Sequence, residues 1–265
     1  MANLGRWLRP WLAPAGAVLA VVAVVPPAGT AATRYVFAQA LQYAVLAVVA
    51  PALIVLGAPW RPRRDQPGRD QPGRPRLADR VAAARSHRPG HGRPWAVLVV
   101  FGVVALGWRL PVAVNALVRH PVLTLAEAVT LLAAGCALWL ELVTSPPLLP
   151  RTTRPQRAAI AALPMWAMWA SAYIMGFSGS AWFSALAHRA GHGLGTVADQ
   201  EIAAGLLWAI PAFAFVPVIY VALISWLRDS SDPDAELQAA GPAAGASGRD
   251  QPLLRPPRGW RLPSS

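Results

Sequence analysis

Six apolar stretches, separated by connections that are alternately rich and poor in arginine, constrain this chain more than any motif in it. They cover residues 7–25, 35–56, 95–118, 122–143, 158–177 and 202–227. A bilayer-spanning helix needs about 20 apolar residues, and most of the stretches have that length. The first is short if it begins at Trp11 and long enough if it begins at Trp7. Every basic residue is Arg. Arg6 and Arg9 precede the first stretch, ten arginines fall between residues 61 and 93, Arg151, Arg154 and Arg157 fill the fourth connection, and five follow from Arg228 onward. The alternate connections carry one each, at Arg34, Arg119 and Arg189. Cytoplasmic loops keep the positive charge, so both termini and the 60–93 loop are expected inside and three short connections outside. The fold class expected is all-α, a polytopic membrane helical bundle of about six transmembrane helices within residues 1–229.

Composition agrees: 55% of the residues are hydrophobic and 14% charged, with the charge gathered between the apolar stretches. A net charge of +12 raises the question of nucleic acid, but the arginines flank membrane segments without aromatic interleaving or a binding module, and membrane lipid is the simpler partner. Cys136 is the one cysteine, which excludes an intrachain disulfide or a Cys-x-x-Cys site. Arg6, Arg9, the apolar run and the small residues at 28–32 also resemble a secretory signal peptide; a retained first helix is favoured. Loop 60–93, with its direct repeat Arg64-Asp65-Gln66-Pro67-Gly68 and Arg69-Asp70-Gln71-Pro72-Gly73, and tail 230–265 have a low-complexity composition and are expected to be disordered.

Charged side chains inside membrane helices need a partner or a purpose. Arg109 and Glu127 lie on the two arms of a helical hairpin turning near His120, at roughly 15 Å and 10 Å from the turn at 1.5 Å per residue, so a direct pair is expected. Glu141 lies near the inner end and is expected to reach the interface. Gln39 and Tyr43 are four apart on one helix face at similar depth. One polar constellation can therefore form from Gln39, Tyr43, Arg109, Thr124 and Glu127.

Four pieces of the chain, in order, resemble a known family. Ala38-Gln39-Ala40-Leu41-Gln42-Tyr43, continuing through Pro51, Gly57 and Pro59, looks like the second-helix signature of CtaG-type cytochrome c oxidase assembly factors. Trp108-Arg109-Leu110-Pro111 stands where that family has Trp-His-Leu-Pro, and Glu127 matches a Glu in the next helix. Asp199-Gln200, followed by Gly205 and Trp208, is similar to its Asp-Gln-x-x-x-x-Gly-x-x-x-Trp element. The resemblance implies a plasma-membrane protein of a prokaryote that helps assemble a haem-copper oxidase, with oxidase subunits as partners and copper as the cargo or cofactor to be considered. This chain departs from the family pattern at the metal chemistry. Gln39, Tyr43, Arg109, Thr124 and Ala128 occupy positions where the family generally carries histidines, and none of them is a good copper ligand.

Weaker metal candidates are His120, His188 and His192 in the outward connections and the thioethers of Met165, Met168 and Met175. Solvated histidines and packed methionines are the plainer reading. Thr196 and Asp199 resemble a capping arrangement at the start of the last helix, with a ligand or partner role as the alternative. No nucleophile with His and carboxylate, no phosphate loop and no zinc helix occurs, so an enzyme is not expected. Three readings follow: an oxidase assembly factor acting through protein contacts, a carrier using the Arg109–Glu127 region, and a copper binder using loop histidines and methionines.

Overall fold

The computed structural model of the chain describes residues 4–60, 92–120, 122–145, 148–187 and 195–230. The repeat in the 60–93 loop, His188, His192, Arg189 and nearly all of the tail lie outside the described residues. The elements are α1 (Leu4–Val24), α2 (Ala28–Ala32), α3 (Val36–Gly57), α4 (Arg93–Arg109), α5 (Pro111–Arg119), α6 (Val122–Leu142), α7 (Arg154–Gly176), α8 (Ser184–Ala187) and α9 (Thr196–Ser230). Apart from one isolated bridge between Ser145 and Leu148, no strand pairing occurs among the described residues. Contacts divide the chain into a unit Met1–Ile224 and a second, Ser225–Ser265, of which only the end of α9 is described.

The protein is an all-α, multi-pass membrane bundle. Helices α3, α6, α7 and α9 are each long and apolar enough to cross a membrane, and α4 with α5, bent by 63°, meets the same length and composition as a pair, giving four such spans, or five with the pair taken as one. This is fewer than the six expected. The apolar part of α1 is confined to Pro10–Val24, about 22 Å of helix against a hydrocarbon core of about 30 Å. The third apolar stretch is not one straight helix. Pro111 restricts Leu110 to extended backbone, observed at φ −62° and ψ 140°, so α4 ends at Arg109 and Pro111 opens α5 from its favoured first position.

Helix α3 is widened by a π turn over Val45–Val49, directly before Pro51. A proline ring clashes with the carbonyl four residues earlier and lacks an N–H donor, and a wider turn relieves both conflicts. Two glycines then let neighbours close on α3. A Cβ on Gly57 would stand 2.3 Å from the Ala13 backbone nitrogen of α1, and one on Gly135 would stand 2.5 Å from the Ala47 carbonyl oxygen and 2.6 Å from Pro51 Cγ. Small residues at helix contacts are the usual route to tight packing in a bilayer, where burial against lipid gains little. Around α3 the core is filled by Leu46, Phe101, Leu131, Leu138, Ile160 and Met168, all 2% exposed or less.

Glu141 is also buried, at 2% exposure, and does not reach out to the interface as its position near a helix end suggested. The chain folds back over it instead: the Arg151 backbone N–H donates to Glu141 Oε2 at 3.1 Å, and the Thr152 hydroxyl donates to the Glu141 carbonyl at 2.7 Å.

Candidate functional site

Arg109 is the last residue of α4, and the bend at Leu110 leaves its side chain inside the bundle, 7% exposed. Its guanidinium is enclosed on every side the geometry identifies. Nη1 donates to Gln39 Oε1, Nη2 donates to Met175 Sδ at 3.3 Å, and its carbon lies 5.4 Å from the Tyr43 ring centroid and 5.1 Å from that of Phe183. Aromatic faces attract a desolvated cation by about 2 kcal/mol each. Tyr43 is held in place by its own hydroxyl, which donates to the Ala105 carbonyl at 3.1 Å.

The expected direct pair of Arg109 and Glu127 is not formed. Gln39 stands between them, accepting from Arg109 and donating through Nε2 to Glu127 Oε1 over a long 3.5 Å. The reason is chemical: guanidinium only donates and a carboxylate only accepts, while a glutamine amide offers one end to each. Gln39 and Glu127 are 3% and 1% exposed, so the whole chain of contacts is buried. Thr124 joins this group only at its edge, lining with Gln39, Gln42 and Glu127 a cavity of about 10 Å³. Gln42 is turned away and donates to the Ala23 carbonyl at 2.8 Å.

The Asp199-Gln200 dipeptide supports this enclosure from α9. Asp199 does not cap its own helix. Its two carboxylate oxygens accept the backbone N–H groups of Val36 and Phe37, each at 2.8 Å, and so satisfy the orphan donors that open α3, one turn before Gln39. Gln200 donates to the Met175 carbonyl at 2.6 Å and accepts from the Trp182 backbone N–H at 2.8 Å. On the far side of Phe183, the Ala185 N–H donates to Asn115 Oδ1 of α5 at 3.0 Å. The segment carrying Phe183 is thus tied down at both flanks, which sets its ring against Arg109. Among the other motif residues, Trp108 Nε1 donates to Thr130 Oγ1 at 2.9 Å, joining α4 to α6, and the Trp208 carbonyl accepts from Trp169 Nε1 at 2.8 Å.

Phe183 and the positioning role of Asn115 had no signal in the sequence. Met175 was visible only as a thioether. Met165 and Met168 are buried at 6% and 2%, packed in the core, His120 is exposed at the α5–α6 turn, and His188 and His192 lie outside the described residues.

The residues around Arg109 do not fit a copper ion. Copper favours imidazole and sulfur donors, and the one sulfur here already accepts from the guanidinium. A fixed cation at the centre repels a second one. No group of three or more His, Cys, Asp or Glu suited to a metal occurs among the described residues.

Fold and site together define a multi-pass membrane protein whose polar interior is a closed, internally satisfied cluster. The family model described as cytochrome c oxidase caa3 assembly factor matches residues 4–229, and the chain belongs to that family. Its role is accordingly that of an oxidase assembly factor, which points away from catalysis. No curated protein and no solved structure matches the chain.

Proposed function

We propose that this protein assists assembly of a haem-copper cytochrome c oxidase in a prokaryotic plasma membrane through protein contacts at the outer side, without holding copper at its intramembrane polar cluster. Both termini and the arginine-rich loop are on the cytoplasmic side in this reading. The observation that carries it is the enclosure of Arg109 by Gln39, Tyr43, Met175 and Phe183. A guanidinium fills the place where, by resemblance to the family, imidazoles would converge. A carrier reading finds less support, because the cavity beside Gln39, Thr124 and Glu127 is about 10 Å³, room for at most one water. The test is purification of the tagged protein from solubilised membranes, with oxidase subunits and copper measured in the same sample. Oxidase subunits should accompany it, while the protein alone should bind Cu(I) no more tightly than about micromolar, the weak range of a site without preorganised ligands. Stoichiometric tight copper on the isolated protein, or absence of every oxidase subunit, would overturn the proposal.

A further inference from the structure

A groove of about 420 Å³ runs between the end of α7 and the start of α9, remote from the Arg109 cluster in its chemistry. Its floor is made of small residues, Ala172 and Gly176 on α7 and Ala204 and Gly205 on α9, and its walls are Tyr173, Phe177 and Trp208. One charged side chain enters it, Glu201, exposed and without a hydrogen bond or ion pair among the described residues. Glu201, Gly205 and Trp208 lie four and three residues apart and so share one face of α9. Glu201 immediately precedes 26 residues, Ile202 to Leu227, that carry no charge. It therefore stands at the boundary of the hydrocarbon, and Trp208 lies about 10 Å deeper along the helix. The groove is thus polar and anionic at the interface and apolar beneath it.

We infer that this groove binds a phospholipid with a primary-amine headgroup, the ammonium on Glu201 and the upper acyl chain along the glycine-lined floor. An ammonium supplies N–H donors to the carboxylate, which can only accept. Charge and polarity choose the occupant: a carboxylate at the interface above an apolar floor complements an ammonium headgroup above its acyl chain.

The full-length protein in mild detergent is offered equal amounts of phosphatidylethanolamine and phosphatidylglycerol with matched acyl chains, and retained lipid is read by native mass spectrometry. The amine lipid should be retained about fivefold over the anionic one, the ratio expected of one interfacial ion pair. Glu201→Gln should bring the ratio close to one. Gly205→Leu should lower retention of both lipids, and Gly205→Ala, whose Cβ meets nothing within 4 Å, should fold and bind as the parent does. Equal retention by the parent, or an unchanged preference in Glu201→Gln, would overturn the assignment. So would a photocrosslinker at position 205 that captures a polypeptide rather than lipid.

Discussion

Replacing Arg109 or Glu127 by leucine tests whether the two charges are coupled through Gln39. Glu127→Leu leaves a buried guanidinium with its contacts to Gln39, Met175 and two rings, but removes the carboxylate at the other end of the bridge. Arg109→Leu leaves the carboxylate with a single donor 3.5 Å away. Orphaning one partner of a buried ion pair costs about 3–5 kcal/mol, a large part of an ordinary stability of 5–15 kcal/mol. Gln39→Leu removes both hydrogen bonds of the bridge but neither charge, and should cost less, about 1.5–3 kcal/mol, most of it from the bond to Arg109 because the one to Glu127 is long. At about 2–4 °C per kcal/mol for a chain of this size, the charge-removing single variants should melt about 6–20 °C below the parent and Gln39→Leu about 3–12 °C below. The double variant Arg109→Leu, Glu127→Leu, which orphans neither charge, should melt above both of its singles. Heating detergent-solubilised protein and measuring the surviving monodisperse fraction gives these values. If the double variant loses the sum of the two singles, the charges act independently and the bridge through Gln39 carries no coupling.

Three further outcomes follow from other contacts. Asp199→Ala removes the acceptor for two backbone N–H groups at the start of α3 and should destabilise by about 2–4 kcal/mol in the same melting assay, with Asp199→Asn losing about half of that because one acceptor oxygen remains. Gly135→Leu places a side chain where a Cβ alone would be 2.5 Å from the Ala47 oxygen and should cost at least 1–3 kcal/mol of overpacking; Gly107→Ala, with nothing within 4 Å, should be neutral or slightly stabilising. For topology, in a Cys136→Ala background, Ser86→Cys should resist a membrane-impermeant maleimide in intact cells while Ser180→Cys reacts; the reverse labelling pattern would invert the orientation drawn from the arginines.

What the sequence made legible was whatever repeats along a single helix. Apolar length is a property of each segment alone, so α3, α6, α7 and α9 were readable from composition; the break at Leu110 was not anticipated, since residues 95–118 read as one apolar stretch, although Pro111 carries the local steric reason for it. Depth can be counted at a fixed rise per residue, and that count put Gln39, Tyr43, Arg109 and Glu127 at one level of the bundle. Depth does not give rotation, however, and the rotation of three helices decides that Gln39 lies between the two charges. Asp199 shows the same limit from another side. Its local pattern suggested capping of its own helix, yet its partners are Val36 and Phe37, more than 160 residues earlier, and only tertiary packing brings that helix end within reach. Phe183 lies in a connection without periodicity, and its place against Arg109 depends on anchors from α5 and α9.

The arginine also accounts for how several helices of this bundle can converge on one point without a metal ion. A metal centre organises a bundle because several helices supply ligands to one cation. Arg109 is itself a cation, and α3, α7 and the segment before α8 supply its contacts through Gln39, Tyr43, Met175 and Phe183, with Glu127 of α6 balancing the charge through the bridge. Convergence of the elements is retained, while the cation is covalently fixed and cannot be handed on. Asp199 and Gln200 belong to this arrangement because they position its acceptors and its aromatic wall and contribute no donor to the centre themselves. On the proposed reading, contact with the oxidase then depends on the surface around this closed cluster, and the cluster serves to hold that surface in shape.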